Sequence, residues 1–335
     1  MADTPEVSAA EAAIEPEIEV VDTHFHLSDR TTPPYQLDDF VKDASSGHRV
    51  VQGVFVESGW KWNHDLPDRA LISVAEVRAA AECAADARER PGVRIDGIVG
   101  FADFSDPATV QRAIDASIEV ADGLLVGVRS AACYDADPKA PVHRTRPRPG
   151  LMQETSWQES LKQVARRGLT FDCLVFHSQL PEVVGAVSSV PEATFVLNHL
   201  GLPLGMGRYE GKAEQVMSFC REYLSSLARY PNVYLKIGGI ATPVTWQLWG
   251  GTEGGSATSA ELAAAWGSHV RWCVETFGPD RCMFESNFPV DRATCSYVAI
   301  WNAFKLMVKD ASSTEKQKLF AGTARRAYRL PARTS

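Results

Sequence analysis

Short apolar runs alternate along the whole chain with longer segments in which apolar residues recur every three or four positions. The runs are rich in Val, Ile, Leu and Phe and are apolar on both faces, which is typical of parallel strands covered by helices. Eight runs show this pattern, at residues 18–26, 50–58, 94–102, 123–130, 169–177, 193–200, 232–239 and 281–288. The pattern predicts a repeated strand–helix unit.

The clearest of the predicted helices follows the seventh run. A capping box from Thr258 to Glu261 begins it, and Gly278-Pro279 ends it. Eight strands that alternate with helices predict an α/β fold, a (β/α)8 TIM barrel formed by residues 19–335 as a single domain. A doubly wound sheet is the alternative, but no GxGxxG sequence follows the first run, and the number of strands suits a closed barrel.

Charge and composition exclude several kinds of protein. The chain has 335 residues and a formal net charge of −8, and no basic stripe with interleaved aromatic residues indicates nucleic-acid binding. Residues 1–18 carry acidic but no basic side chains and predict a disordered, solvated tail. No apolar segment is long enough for a membrane span, no signal-peptide pattern opens the chain, and the seven cysteines form no CxxC pair. We therefore expect a cytoplasmic protein with reduced thiols.

Four of the eight histidines fall at or near predicted strand ends. His24 and His26 are two residues apart on the first strand and so share a face, while His177 and His199 belong to the fifth and sixth runs. The carboxyl ends of the strands form the active site in barrels of this type. Imidazole is a common ligand of zinc and similar divalent ions, so the four rings predict a metal centre. The alternative is a set of hydrogen-bonded core histidines.

Several motifs together resemble the amidohydrolase superfamily, and in particular its branch with fuconolactonase and pyrone-dicarboxylate lactonase. They are VDTHFHL at 21–27, FHSQLPEV at 176–183, VLNHLG at 196–201, NVYLKIGGI at 232–240 and DRCMFESNFPVD at 280–291. The resemblance covers residues 20–330. It implies opening of a lactone, or hydrolysis of a related ester or amide, with a divalent metal in some members and none in others. In a member with metal, His24, His26 and His177 would hold a zinc or manganese ion.

Two strand ends depart from the family pattern. Strand four ends in Arg129, which cannot bridge two metal ions, so we expect a mononuclear site. Strand eight carries Asn287 where members of the family usually have an aspartate that serves as metal ligand and general base. An amide cannot accept a proton from water, so the base must be another group.

Three carboxylates and one imidazole are candidates for that base. Glu285 shares the face of Asn287 one layer deeper, Asp291 follows in the next loop, and His199 can act as an acid–base group if it binds no metal. Glu57, at the end of strand two, is the third carboxylate. Each carboxylate has a structural alternative: Glu285 in an ion pair with Arg129 or Lys236, Asp291 as the cap of the last helix, and Glu57 as a hydrogen-bond acceptor for a loop.

Long loops after strands two, four and seven overhang the predicted mouth and carry aromatic and cationic side chains. Trp60 and Trp246 are candidates for substrate contacts, and Arg129 and Lys236 are candidates for binding a carboxylate or stabilising an oxyanion. We therefore predict a hydrolase acting on a small organic acid or lactone. A metal-independent lactonase, a decarboxylase-type lyase acting on an aromatic acid and a non-catalytic binding protein are the alternatives. The oligomeric state stays open, with a homo-oligomer among the alternatives.

Overall fold

The eight predicted strands form one sheet whose strand order follows the chain. The computed structural model describes residues 11–251, 254 and 256–332. Within these residues all neighbouring strands of the sheet pair in parallel. The strands are β1 (Glu19–Phe25), β2 (Arg49–Val56), β3 (Arg94–Phe101), β4 (Leu125–Arg129), β5 (Thr170–Cys173), β6 (Thr194–Leu197), β7 (Val233–Ile237) and β8 (Cys282–Phe284).

The first and last strands meet and nearly close the sheet into a barrel. Phe25 and Phe288 form a parallel bridge. The backbone amide of His26 donates to the Phe288 oxygen at 2.8 Å, and the amide of Asn287 donates to the His24 oxygen at 2.9 Å. The predicted (β/α)8 barrel is confirmed, and the carboxyl ends of its strands surround one mouth.

Helices connect the strands and cover the outside of the barrel. The predicted capping box is present, because the Glu261 amide donates to Thr258 Oγ1 at 3.2 Å and Glu261 Oε2 accepts from the Thr258 amide at 2.8 Å. The helix that follows buries Trp266 completely. The helices are α1 (Leu37–Ala44), α2 (Val74–Arg88), α3 (Pro107–Val120), α4 (Thr155–Arg166), α5 (Leu180–Ser189), α6 (Ala213–Leu227), α7 (Pro243–Trp246), α8 (Ser259–Phe277), α9 (Tyr297–Met307), α10 (Ser313–Gln317) and α11 (Thr323–Tyr328).

The last helix closes the end of the barrel where the strands begin. Arg325 of α11 pairs with Glu19, the first residue of β1. The barrel interior packs against this helix in one apolar cluster, which consists of Val21, Val54, Val56, Val99, Val196 and Met283 from the strands and Ala321, Ala324, Ala327, Tyr328 and Leu330 from the C-terminal segment. Burial of these side chains stabilises the fold and fills the barrel interior at this end.

Residues 11–18 lie against the barrel. Asn302 donates to the Glu11 carboxylate at 3.0 Å, and Glu15 pairs with Lys316 at 2.7 Å. Because these carboxylates have partners on α9 and α10, the prediction of a solvated tail over residues 1–18 is wrong for residues 11–18. Residues 1–10 lie outside the described residues.

Two further features of the fold concern its cysteines and the lengths of its helices. All seven cysteines are free thiols. Over the part of the chain that the structure describes, no helix combines the length and the apolar character that crossing a membrane requires.

Candidate active site

Two histidines and one glutamate from distant parts of the chain converge at the mouth of the barrel. His24, His199 and Glu285 each offer one potential ligand atom, and these atoms all lie within 4.8 Å of one another. Glu285 Oε1 lies 2.6 Å from His199 Nδ1, and Glu285 Oε2 lies 2.9 Å from His24 Nδ1. His199 follows β6 and Glu285 follows β8 directly, so the barrel brings together side chains that are 86 residues apart.

Two glycines after β7 leave the space that this cluster occupies. A Cβ atom at Gly238 would lie 2.1 Å from Glu285 Cγ, and one at Gly239 would lie 2.7 Å from the His199 ring. Any larger residue would therefore displace the carboxylate or the imidazole. This close packing explains why two glycines, Gly238 and Gly239, follow β7.

His24 and His26 present their Nε2 atoms to each other at 3.2 Å. His26 Nδ1 lies 2.7 Å from the carbonyl oxygen of Val56, which can only accept, so His26 carries its proton on Nδ1 and its Nε2 is bare. Burial holds the pKa of both imidazoles well below the usual value, and the charges of Lys236 near His24 and Arg129 near His26 lower it further. Both rings are therefore neutral and able to act as ligands.

The donor set fits a single divalent cation. Two nitrogens bound to one tetrahedral zinc ion lie about 3.3 Å apart, close to the separation of the two Nε2 atoms. Glu285 Oε2 is buried and, among the described residues, has no aligned hydrogen-bond donor although His24 Nδ1 is near. A proton on His24 Nδ1 would lie near this oxygen without being aligned with it, and it would leave His24 Nε2 bare. Carboxylates that orient ligating histidines in this way are common around metal sites.

Arg129 is held by Glu57 next to the histidines. Its Nε donates to Glu57 Oε1 at 2.7 Å, and its Nη1 lies 3.3 Å from His24 Nε2. Arg144 from the loop after β4 pairs with the second oxygen of the same carboxylate. Glu57 is thus an ion-pair partner of two arginines, and three charged groups lie beside the histidine cluster.

Lys236 lies fully buried beneath the histidines. Its Nζ donates to Asp172 Oδ2 at 2.8 Å and lies 3.4 Å from His24 Nδ1. Glu285 Oε2 is 3.9 Å away, so the predicted ion pair between Lys236 and Glu285 is present as a longer contact. A side chain in this position supports the cluster from below.

Asn287 and Asp291 join the end of β8 to the loop after β7. Asn287 Nδ2 donates to Asp291 Oδ1 at 2.7 Å and to Thr242 Oγ1 at 3.0 Å. Asp291 also accepts from the Thr242 hydroxyl at 2.8 Å and from the Ala241 amide at 3.0 Å. Burial raises the pKa of Asp291 to about 7. Ser296, and not Asp291, caps α9.

The structure does not bring His177 to the histidine cluster. β5 ends at Cys173, four residues before His177, and the chain then turns outward. The His177 ring packs against Tyr209 at a centroid distance of 4.5 Å, and its Nδ1 accepts from the Leu204 amide at 3.3 Å. The geometry therefore favours His199 with Glu285, rather than His177, as the group that completes a site with His24 and His26.

Trp60 and Trp246, the two tryptophans predicted to contact a substrate, pack against the protein core. Trp60 is buried and packs against Phe55 at 6.1 Å, and Trp246 is half-buried against the core. Trp62 instead lines a cavity of about 720 Å³ together with Phe101 and Ser130. Ser130, which lines this cavity, is the neighbour of Arg129 in the chain.

Sequence reasoning missed two residues that support Lys236 from below. Asp172, in the middle of β5, holds Lys236, and Tyr328 on α11 donates to Asp172. The one available signal was a charged residue inside the apolar run of β5, which must be paired when the strand is buried. Nothing in the local pattern around Tyr328 connects it with the mouth of the barrel.

Comparison with known proteins agrees with this architecture. An uncharacterized protein of Sinorhizobium fredii, y4mH, is 29% identical over 325 residues, which is 94% of this chain and 99% of that protein. The L-fucono-1,5-lactonase of Burkholderia multivorans is 26% identical over 243 residues, 71% of this chain and 73% of that enzyme. The crystal structure of an amidohydrolase from Burkholderia multivorans with bound zinc has a TM-score of 0.72 at 22% identity, covering 93% of this chain and 99% of that one. The family model described as amidohydrolase matches residues 21–330. The chain therefore belongs to the amidohydrolase family and is a hydrolase, as the sequence motifs predict.

Proposed function

We propose that this hydrolase opens a lactone or a related carboxylate-bearing ester with a water molecule activated by His199 and Glu285. One observation carries the proposal: a single buried carboxylate contacts both His199 and His24, at 2.6 and 2.9 Å. The likeness to a fuconolactonase supports a lactone as the substrate class. The activation of water is therefore assigned to residues that can be changed one at a time.

The proton transfer uses the imidazole of His199. Glu285 Oε1 accepts from His199 Nδ1, so His199 Nε2 is bare and can accept a proton from water. The same nitrogen then returns the proton to the alkoxide that leaves when the ring opens. Glu285 orients the imidazole and stabilises its charged form, which is the role of the acidic member of a catalytic triad. Asn287 can bind substrate or water but cannot replace this base.

His24 and His26 are the residues that would hold a divalent cation, either zinc or manganese. A bound divalent ion supplies polarisation of the substrate carbonyl and lowers the pKa of a coordinated water molecule. Support comes from the two neutral imidazoles at 3.2 Å and from the bound zinc of the similar Burkholderia multivorans amidohydrolase. Arg129 Nη1, beside His24, is placed to donate to the oxygen on which charge develops.

A metal-independent reaction at the same site is the second candidate, and a hydrogen-bond chain favours it. Lys236 Nζ contacts His24 Nδ1 at 3.4 Å, His24 Nε2 contacts His26 Nε2 at 3.2 Å, and His26 Nδ1 contacts the Val56 oxygen at 2.7 Å. If each of these groups donates to the next, every proton has an acceptor without a cation. In that case the substrate carbonyl oxygen would take the place of His26 Nε2 as the acceptor of the His24 Nε2 hydrogen.

A panel of lactones and of aromatic carboxylic acids separates the candidates. We expect hydrolysis of a carboxylate-bearing lactone that is lost after chelator treatment and restored by zinc or manganese. Full activity after removal of all metal would instead favour the metal-independent reaction. Release of carbon dioxide from an aromatic acid, with no lactone opened, would contradict the proposed function and favour a decarboxylase.

The substitution Glu285→Gln tests the carboxylate that orients and stabilises the base, His199. The amide keeps the size of the side chain but cannot stabilise a protonated His199, so we expect kcat to fall about a hundredfold or more. Asp43→Asn is the control, because Asp43 also accepts from a buried side chain, Tyr35 at 2.8 Å, but lies on α1 away from the site. Equal kcat for Glu285→Gln and the control would contradict the assignment.

A further inference from the structure

The floor of the site is a charged pair buried inside the barrel. Asp172 and Lys236 are both fully buried and lie 2.8 Å apart. Asn198 Nδ2 adds a donor to the same Asp172 oxygen at 3.0 Å. A buried ion pair of this kind holds its geometry only when further hydrogen bonds satisfy the carboxylate.

Tyr328 provides the hydrogen bond from below. Its hydroxyl lies 2.9 and 2.8 Å from the two carboxylate oxygens of Asp172, and its ring centroid lies 5.2 Å from the Lys236 ammonium. The residue is the last of α11, which the chain folds into the floor of the barrel. One side chain therefore contacts both members of the buried pair.

The Lys236 end of the pair lies directly under the proposed catalytic groups. The Lys236 ammonium lies 3.4 Å from His24 Nδ1 and 3.9 Å from Glu285 Oε2. A shift of the ammonium toward or away from His24 changes which group faces His24 Nδ1, the ammonium or the carboxylate. The position of Lys236 thus influences whether His24 Nε2 is bare and available to a ligand.

We propose that Tyr328 is a positioning residue for the reaction, which holds the Lys236 ammonium under His24 by fixing both oxygens of Asp172. The predicted effect of Tyr328 on turnover rests on the proposed function. Its effect on the His24 ring does not depend on any substrate. The C-terminal helix is then part of the support of the site as well as of the barrel floor.

The test compares Tyr328→Phe with Tyr35→Phe in the full chain. Tyr35 is an equally buried tyrosine whose hydroxyl donates to Asp43 at 2.8 Å, so the two variants lose the same group at different places. In metal-free protein with ¹⁵N-labelled histidine, assigned with His24→Gln, we expect the ring nitrogen shifts of His24 to move in Tyr328→Phe and to stay in Tyr35→Phe. In turnover we expect kcat to fall about tenfold with KM changed less than about twofold, the size of effect that outer partners of ligating histidines produce.

A second background tests whether Tyr328 acts on His24 through Lys236. In Lys236→Met the ammonium is absent, so adding Tyr328→Phe should leave the His24 shifts where Lys236→Met alone places them. Unchanged His24 shifts in folded Tyr328→Phe, or equal changes in both tyrosine variants, would overturn the proposal. If no lactone is hydrolysed by the wild type, the proposed function fails while the histidine spectra still decide the role of Tyr328.

Discussion

At the scale of single residues, Asn287 shows why a neutral group occupies the position of the aspartate expected in the family. Its amide donates to Asp291 Oδ1 at 2.7 Å, and it is itself buried. A carboxylate at residue 287 would meet the carboxylate of Asp291 at hydrogen-bond distance. Two like charges this close cannot both ionise at low cost. The amide therefore joins two loops, and in the proposed function the role of the base belongs to His199 with Glu285.

Asn287→Asp tests this interpretation. The change removes a donor from a buried carboxylate and adds a like charge, so we expect the free energy of unfolding to fall by about 1–3 kcal/mol. Hydrolysis should not increase. Urea unfolding and steady-state kinetics measure the two effects. Asn302→Asp is the control, because Asn302 is also buried and also donates to a carboxylate, Glu11 at 3.0 Å, but lies outside the mouth.

A gain of activity in Asn287→Asp without loss of stability would contradict the assignment. That result would mean that an aspartate at residue 287 can serve as the base, as the family pattern implies. Another group would then have to replace the Asn287 amide as a hydrogen-bond donor to the Asp291 carboxylate.

At the scale of elements, the connection between β4 and α4 crosses the mouth of the barrel. Arg144 in this connection pairs with Glu57 at the end of β2 and lies over the Trp62 ring at 5.1 Å. Glu57 is fully buried, and the histidines behind it are at most 6% exposed. We therefore expect a substrate to need this connection to move, and Arg144 is one residue that joins it to the barrel.

Arg144→Gln should loosen this connection. A charge-assisted hydrogen bond to a buried carboxylate contributes about 1.5–3 kcal/mol, so we expect faster limited proteolysis within residues 131–150. Because the opened connection admits substrate, we also expect KM to fall about tenfold. Arg148→Gln in the same connection is the control, because the pair of Arg148 with Glu154 is exposed and exposed pairs contribute about 0–1 kcal/mol. Equal cleavage rates in the two variants would show that Arg144 does not hold the connection closed.

At the scale of the whole molecule, burial keeps many histidines neutral in the folded protein. Desolvation lowers the pKa of His48, His143, His177 and His269 to about 4, and that of His24 and His26 well below the usual value. Below pH 6.5 the unfolded chain therefore takes up protons that the folded chain does not. The pKa of three buried carboxyl groups shifts upward, to about 6 for Asp22 and about 7 for Glu76 and Asp291, so the folded chain takes up protons there first. The histidines are the larger set, and their effect should dominate.

We expect the stability of the metal-free protein to fall as the pH falls from 7 to 5. The urea midpoint at several pH values, after chelator treatment, measures this dependence. His269→Leu removes one buried histidine from α8 and should flatten the curve, while His64→Gln removes an exposed one and should leave its slope unchanged. A midpoint that rises on acidification would mean that the buried carboxyl groups outweigh the histidines.

The sequence by itself determined the architecture and half of the site. Alternation of apolar runs with helical segments reports local burial, so it predicted all eight strands and the barrel. The spacing of His24 and His26 placed both side chains on one face of β1. The spacing of Glu285 and Asn287 placed both on one face of strand eight. These features depend on neighbours in the chain, which a sequence pattern records.

Only the tertiary structure decided which side chains meet. The apolar run around β5 continues buried past Cys173, so its pattern could not show that the strand ends there and that His177 points away. The contacts of Glu285 with His199 and of Tyr328 with Asp172 join residues 86 and 156 positions apart. Such contacts depend on closure of the barrel and on the path of its last helix, and neither leaves a local period in the sequence.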